Sequence, residues 1–127
     1  MGRRYLKEGF FVEKFKLSKP IMINGEQVSE LPFDFDSMTA TDLTKAGAAA
    51  KAANIPILIA PLDTDYHVYL FAQAVNCADR NIDIADVLRM SARDALRATG
   101  LARNFFFVDS EDLSTEESSD ESSPILQ

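Results

Sequence analysis

The alternation of apolar and charged side chains near the start of the chain predicts a β-strand. Residues 10–17 read FFVEKFKL, a largely two-residue period that is typical of a strand with one buried face. A few apolar residues fall out of step with that period, which indicates a bulge. Pro20 is expected to interrupt the strand, because proline has no backbone N–H to donate to a sheet.

A turn signal follows the next apolar stretch. The dipeptide Asn24-Gly25 readily adopts the positive φ angles of a tight hairpin turn, and it comes directly after three apolar residues. Residues 26–31 are expected to return as the partner strand. The sequence therefore predicts a small antiparallel hairpin or meander over residues 10–35.

Helical patterns dominate the chain after this hairpin. Alanines favour the first helix, and the second carries apolar residues at the spacing of a core helix. Helices are predicted for residues 39–53, 65–80, 84–90 and 92–107. The fold class predicted from this order is α+β, with an antiparallel hairpin or meander followed by three to four helices.

Polar residues before each helix are predicted to cap it, because their side chains accept unpaired backbone N–H groups. The expected caps are Thr39 or Thr41, Asp65, Asp83 and Ser91, with Asp94 completing a capping box at the last helix. Between the first two helices, residues 55–62 read IPILIAPL and are broken by two prolines. This apolar stretch is predicted to be a buried connector.

The charges are unevenly distributed along the chain. The net charge is −7, but residues 109–127 hold seven acids and no base, so the remaining 13 acids balance the 13 bases. A segment rich in serine and acids buries too little apolar surface to offset the entropy of ordering it. The predicted organisation is one α+β domain over residues 1–108 and a disordered acidic tail over residues 109–127.

The sequence offers little material for catalysis or for binding a metal. It contains one histidine and one cysteine, and it lacks a phosphate-binding glycine loop, a nucleophile elbow and zinc-ligand spacing. Acids beside His67 (residues 63–67) could form a metal site or an acid/base pair, and those at residues 34–36 could bind a cation. Helix capping and a solvated strand end explain them more simply. Cys77 is interpreted as a small buried hydrophobe. We expect no enzymatic activity, no cofactor and no metal.

The expected location is the cytoplasm. A lone cysteine fits a reducing compartment, since it has no partner for an intramolecular disulfide. No apolar stretch has the length of a signal-peptide core or of a membrane span. Membranes are therefore not expected partners.

Arg89, Arg93 and Arg97 recur every four residues and would line one face if the last two helices approach continuity. One interpretation is a solvated face, because Asp86 and Asp94 each lie three residues from an arginine. The other is an anion-binding face for nucleic acid, an acidic partner or the chain's own tail. Nucleic acid is the least favoured ligand, since the body has no net positive charge and the tail repels phosphates.

Phe105, Phe106 and Phe107 form the second candidate binding cluster. With Val108 they are too apolar to face water, so they are expected to cover the core or a partner.

In order, these segments resemble the phage tail assembly chaperones of long-tailed phages and prophages. The resemblance covers residues 13–108, and its closing LRMSARDA and RNFF motifs are the most specific part. The stretches that carry it are KFKLSKPIMINGEQVSELPFDF, MTATDLTKAGAA with its Thr-x-x-Asp-Leu helix start, PLDTDYHVYLFAQAVN and IADVLRMSARDALRATGLARNFFF.

The resemblance implies a non-catalytic assembly factor in the host cytoplasm. Members of that family bind the long tape measure protein, keep it soluble and help tail tube subunits polymerise around it. The implied partner is thus the tape measure protein, and the tail tube protein and a second copy of the chain are further candidates. Two alternatives remain: a structural tail or head-completion component of the virion, and an acidic nucleic-acid mimic with a regulatory role.

Overall fold

The computed structural model describes residues 3–5 and 11–108, with side chains described for residues 12–107. Antiparallel strands come first and helices follow, so the predicted α+β class is confirmed. The strands are β1 (Arg3–Tyr5), β2 (Phe11–Ile23) and β3 (Glu26–Phe33), and the sheet order is β1-β2-β3. The helices are α1 (Ala40–Ala52), α2 (Thr64–Ala78), α3 (Ile84–Val87) and α4 (Ala92–Arg103), and α4 continues as a π-helix over Asn104–Val108. The predicted acidic tail lies outside the described residues.

The turn between β2 and β3 is the one that the sequence predicts. Asn24 and Gly25 have φ angles of 52° and 82°, the left-handed values that a tight hairpin requires. Strand β1 was not predicted. It pairs with residues 11–13 of β2 and turns the hairpin into a three-stranded meander.

Strand β2 runs through Pro20, so the predicted interruption is wrong. Lys16 pairs with Glu30 and Ile21 pairs with Val28, which leaves three more residues in β2 than in β3 between these pairs. The extra residues form a bulge, where the missing N–H of Pro20 costs no ladder hydrogen bond. We call residues 17–20 the β2 bulge.

Helix α2 is the core helix, as predicted. It packs against α1, α3, α4 and β3, and most of its residues between 67 and 75 are buried. The ring of Phe71 is fully buried, and its centroid lies 5.0 Å from that of Phe15 and 5.5 Å from that of Phe33. These aromatic contacts join the sheet to the helical layer.

The ends of the last two helices differ from the prediction. Helix α3 stops at Val87 rather than at residue 90, because the N–H groups of Arg89 and Met90 bond three residues back instead of four. The predicted α-helix over residues 92–107 changes to a π-helix at Asn104. In this wider turn Phe106 and Phe107 pack against the core.

A buried acid joins α1 to α2. The carboxylate of Asp42 accepts the N–H of Thr39 at 2.8 Å, which caps α1 as predicted, and it accepts Gln73 Nε2 at 2.8 Å. Burial raises the pKa of Asp42, but these hydrogen bonds outweigh burial and hold the pKa below its ordinary value. Asp42 therefore stays ionised while its carboxylate accepts hydrogen bonds from the start of α1 and from α2.

The other caps are partly as predicted. Asp83 precedes α3 and Ser91 precedes α4, where Ser91 Oγ accepts the N–H of Asp94 at 3.2 Å. The prediction for α2 is wrong, since the cap residue is Asp63 and Asp65 lies exposed in the first turn. None of the helices among the described residues is long and apolar enough to cross a membrane.

Candidate binding surfaces

Residues 55–62 form an exposed stretch that we call the aliphatic loop, and the predicted buried connector is wrong. Leu58, Ile59 and Leu62 are 82%, 56% and 66% exposed. Only Ile55 and Ile57, earlier in the loop, pack against the core. Residues 58–62 form bends and turns, and within the described chain the side chains of Leu58, Ile59 and Leu62 are left exposed.

The backbone of the aliphatic loop is held by side chains of α2 and its cap. The carboxylate of Asp63 accepts the N–H of Leu58 at 2.7 Å and the N–H of Ile59 at 3.0 Å. His67 Nε2 lies 2.7 Å from the carbonyl oxygen of Ala60. Because a carbonyl oxygen can only accept, this ring nitrogen carries the proton. The loop thus has a defined backbone while its aliphatic side chains face solvent.

His67 connects the aliphatic loop to the end of the described chain. Its side chain is buried, and its ring centroid lies 5.3 Å from that of Phe107. The alternative interpretation of residues 63–67 as a metal site finds no support here, since no group of three or more potential metal ligands occurs among the described residues. Asp63 and His67 instead bind the loop backbone.

Two of the three phenylalanines, Phe106 and Phe107, pack against the core. Phe105 stacks on Phe35 with ring centroids 5.0 Å apart and remains 40% exposed. Phe106 and Phe107 are half-buried. Of the predicted cluster, Phe105 leaves the most surface for a partner, and a role of the cluster in partner binding stays a prediction.

The three arginines do not form a stripe along one helix. Arg89 lies in the turn after α3, and its Nη1 donates to the carbonyl oxygen of Met22 at 2.6 Å. Arg97 lies on α4, and its Nη1 donates to the carbonyl oxygen of Lys16 at 3.0 Å. Arg93 is exposed. Arg89 and Arg97 therefore bind the β2 backbone on either side of the β2 bulge.

Between these arginines, Asp94 binds the bulge itself. Its fully buried carboxylate accepts the N–H of Ser18 at 2.9 Å and that of Lys19 at 3.3 Å, and Arg97 pairs with it at 2.7 Å. Burial raises the pKa of Asp94, but the hydrogen bonds prevail and lower the pKa to about 2. Side chains from α4 and the turn before it thus bind backbone groups of β2 within the bulge and on either side of it.

Only half of this arrangement could be predicted from the sequence. In the predicted capping box, Ser91 accepts the N–H of Asp94 as expected. The carboxylate of Asp94, however, accepts the N–H groups of Ser18 and Lys19, which lie 76 and 75 positions earlier in the chain. The apolar residues out of step predicted a bulge within residues 10–17, whereas the bulge lies at residues 17–20. Nothing local signalled which side chain would bind it.

Comparisons with models of protein families, with curated proteins and with solved structures found no match to this chain. The resemblance to phage tail assembly chaperones therefore rests on the sequence patterns alone.

Proposed function

We propose that this chain is a phage tail assembly chaperone that binds the tape measure protein without catalysis and uses the aliphatic loop as its main contact. The sequence patterns support the family, and the exposed loop supports a binding role. A surface of three aliphatic side chains within five residues is unusual where no partner covers it. This exposed loop is the observation that carries the proposal.

The loop has the energetic properties of a binding element. Burying one leucine or isoleucine side chain contributes about 1.5–3 kcal/mol. Because Asp63 and His67 already fix the loop backbone, binding costs little additional conformational entropy. Leu58, Ile59 and Leu62 together therefore supply the apolar part of the proposed contact.

The chemistry of the loop suits an apolar helical partner. An amphipathic helix buries aliphatic residues that recur every three or four positions, and it docks against exposed aliphatic surfaces or grooves. The tape measure protein that the resemblance implies is long and helical. Contact with such a face shields apolar surface on both chains.

Coexpression with the tape measure protein of the same phage or prophage tests this function. The wild-type chain is expected to copurify with it, and Leu62→Asp is expected to lose it. Leu96→Asp is the matched control, because Leu96 is 65% exposed, much like Leu62, and belongs to α4 rather than to the loop. Failure of the wild-type chain to copurify would contradict the proposal.

A structural component of the virion is the second candidate, because a permanent subunit interface also leaves an apolar surface exposed in the isolated chain. Purified particles separate the two functions. Mass spectrometry is expected to find the chaperone absent from them, whereas a structural component would be present in fixed stoichiometry.

A further inference from the structure

Cations from two parts of the chain meet on one face of the fold. The hydrogen bonds of Arg89 and Arg97 bring their guanidinium groups onto β2, and the contact of Asp94 with Lys19 N–H places the start of α4 beside the β2 bulge. All the side chains of this group are exposed. We call the group the basic face, and its members are Lys16, Lys19, Arg89, Arg93 and Arg97.

The basic face carries an excess of positive charge. Ion pairs within residues 12–107 join Arg89 to Asp86 at 3.5 Å and Arg97 to Asp94 at 2.7 Å. Glu30 is the cross-strand neighbour of Lys16. Lys19 and Arg93 have no ion-pair partner within residues 12–107, so no ion pair there balances their charges.

We propose that the basic face binds the chain's own acidic segment, residues 109–127. This segment supplies seven acids and no base, so its charge is complementary to that of the face. Carboxylates of the segment pair with Arg93 and Lys19, whose side chains are exposed. The ligand chemistry is that of an acidic peptide.

The segment starts at the right place to reach this face. It follows the π-helix that continues α4, the helix on which Arg93 and Arg97 lie. From Arg93 to Val108 the two helical segments rise at most about 22 Å, whereas ten extended residues reach roughly 33 Å. Glu116 and Glu117 are therefore far enough along the segment to reach Arg93.

Covalent connection favours the segment over other polyanions. A short flexible connection gives an effective concentration on the order of millimolar, so weak pairs suffice for occupancy. A nucleic acid or an acidic partner would have to displace a ligand that is always present. The inference does not depend on the aliphatic loop, which binds its partner at a different surface.

Paramagnetic relaxation measured on the full chain tests the proposal. Cys77→Ser removes the native thiol, and Ser118→Cys carries a nitroxide in the acidic segment. The amide signals of Lys19 and Arg93 are expected to broaden at least about threefold more than those of Lys45 and Lys51 on α1. The difference should vanish in about 1 M salt, where the screening length is about 3 Å.

Charge variants show whether residues 109–127 bind the basic face in particular or are attracted to any positive charge on the chain. Lys19→Gln with Arg93→Gln is expected to abolish the selective broadening. Within residues 12–107 neither side chain makes an ion pair, and both are exposed, so the fold should be retained. Lys45→Gln with Lys51→Gln removes the same charge from α1 and should leave the broadening intact. Equal broadening of both regions, or broadening that persists without Lys19 and Arg93, would overturn the proposal.

A single-stranded oligonucleotide added to the full chain tests whether the basic face binds nucleic acid instead of residues 109–127. It is expected to leave the amide signals of the basic face unchanged at physiological salt. Binding of the oligonucleotide to Lys19 and Arg93, with no contact from residues 109–127 in its absence, would overturn the proposal. Since no tape measure protein is used, these outcomes are independent of the copurification experiment.

Discussion

Replacing Asp94 by asparagine removes the charge that joins α4 to the β2 bulge. Oδ2 of the carboxylate accepts the N–H groups of both Ser18 and Lys19, and Oδ1 accepts Arg97 Nη1, so an asparagine whose oxygen stays on the backbone donors turns its NH₂ group towards the arginine. Each of the two surviving hydrogen bonds weakens by roughly 1 kcal/mol when its acceptor loses the charge. Together with the lost pair to Arg97, we expect Asp94→Asn to lower the free energy of unfolding by about 2–4 kcal/mol.

The same contact predicts how stability depends on pH. The pKa of Asp94 is lowered from 3.8 to about 2 in the folded chain, so the folded state favours the ionised form. Its contribution is complete above the pKa of the unfolded chain and is lost as pH falls from about 4 towards 2. A shift of this size corresponds to about 2 kcal/mol.

Urea unfolding followed by circular dichroism, at neutral pH and at about pH 2.5, measures both effects. The difference between wild type and Asp94→Asn is expected to be large at neutral pH and to shrink in acid. Asp36→Asn is the control, because Asp36 is exposed, and it should unfold like wild type at neutral pH. A free energy of unfolding for Asp94→Asn within about 0.5 kcal/mol of wild type at neutral pH would refute the reasoning.

Three further substitutions test the local structure. Gly25→Ala is expected to lower the free energy of unfolding by about 1 kcal/mol, because Gly25 has φ at 82°, and unchanged urea unfolding would contradict this. Gly47→Ala is expected to raise it by about 0.5–1 kcal/mol: alanine favours the helix, and the new Cβ would lie an ordinary 3.8 Å from Ile57 Cδ1. A destabilised Gly47→Ala chain would show that this contact is tighter than the structure indicates. His67→Leu removes the hydrogen bond from His67 to the aliphatic loop, so the amide hydrogen of Leu62 should exchange with solvent about tenfold faster. An unchanged exchange rate would show that His67 does not hold the loop in place.

Elements with local signals could be predicted from the sequence. The hairpin turn depends on Asn24-Gly25, and the core helix depends on apolar spacing within one segment. The contacts of Asp94 depend on residues more than 70 positions away, so no local pattern reveals them. The hydrogen bonds of Arg89 and Arg97 to β2 also join distant parts of the chain, so no local pattern reveals them. The predicted arginine stripe depends on one continuous helix, which does not form.

The aliphatic loop shows why apolar composition does not determine burial. Residues 55–62 are as apolar as a core strand, and they were predicted to be buried for that reason. The alanines of α1 and the aromatic residues of α2 and the sheet already fill the core, which leaves no interior space for Leu58 or Leu62. Burial depends on the layers that surround a segment, and these layers are formed by the rest of the chain.

The dissociation constant for the tape measure protein tests the central claim most directly. It should be measured for the wild-type chain, for Leu62→Asp and for the matched control Leu96→Asp. We predict that Leu62→Asp weakens binding at least about tenfold, which is about 1.4 kcal/mol, and that Leu96→Asp binds like wild type. Equal affinity of all three chains, or no binding by the wild-type chain, would contradict the claim that the aliphatic loop is the contact.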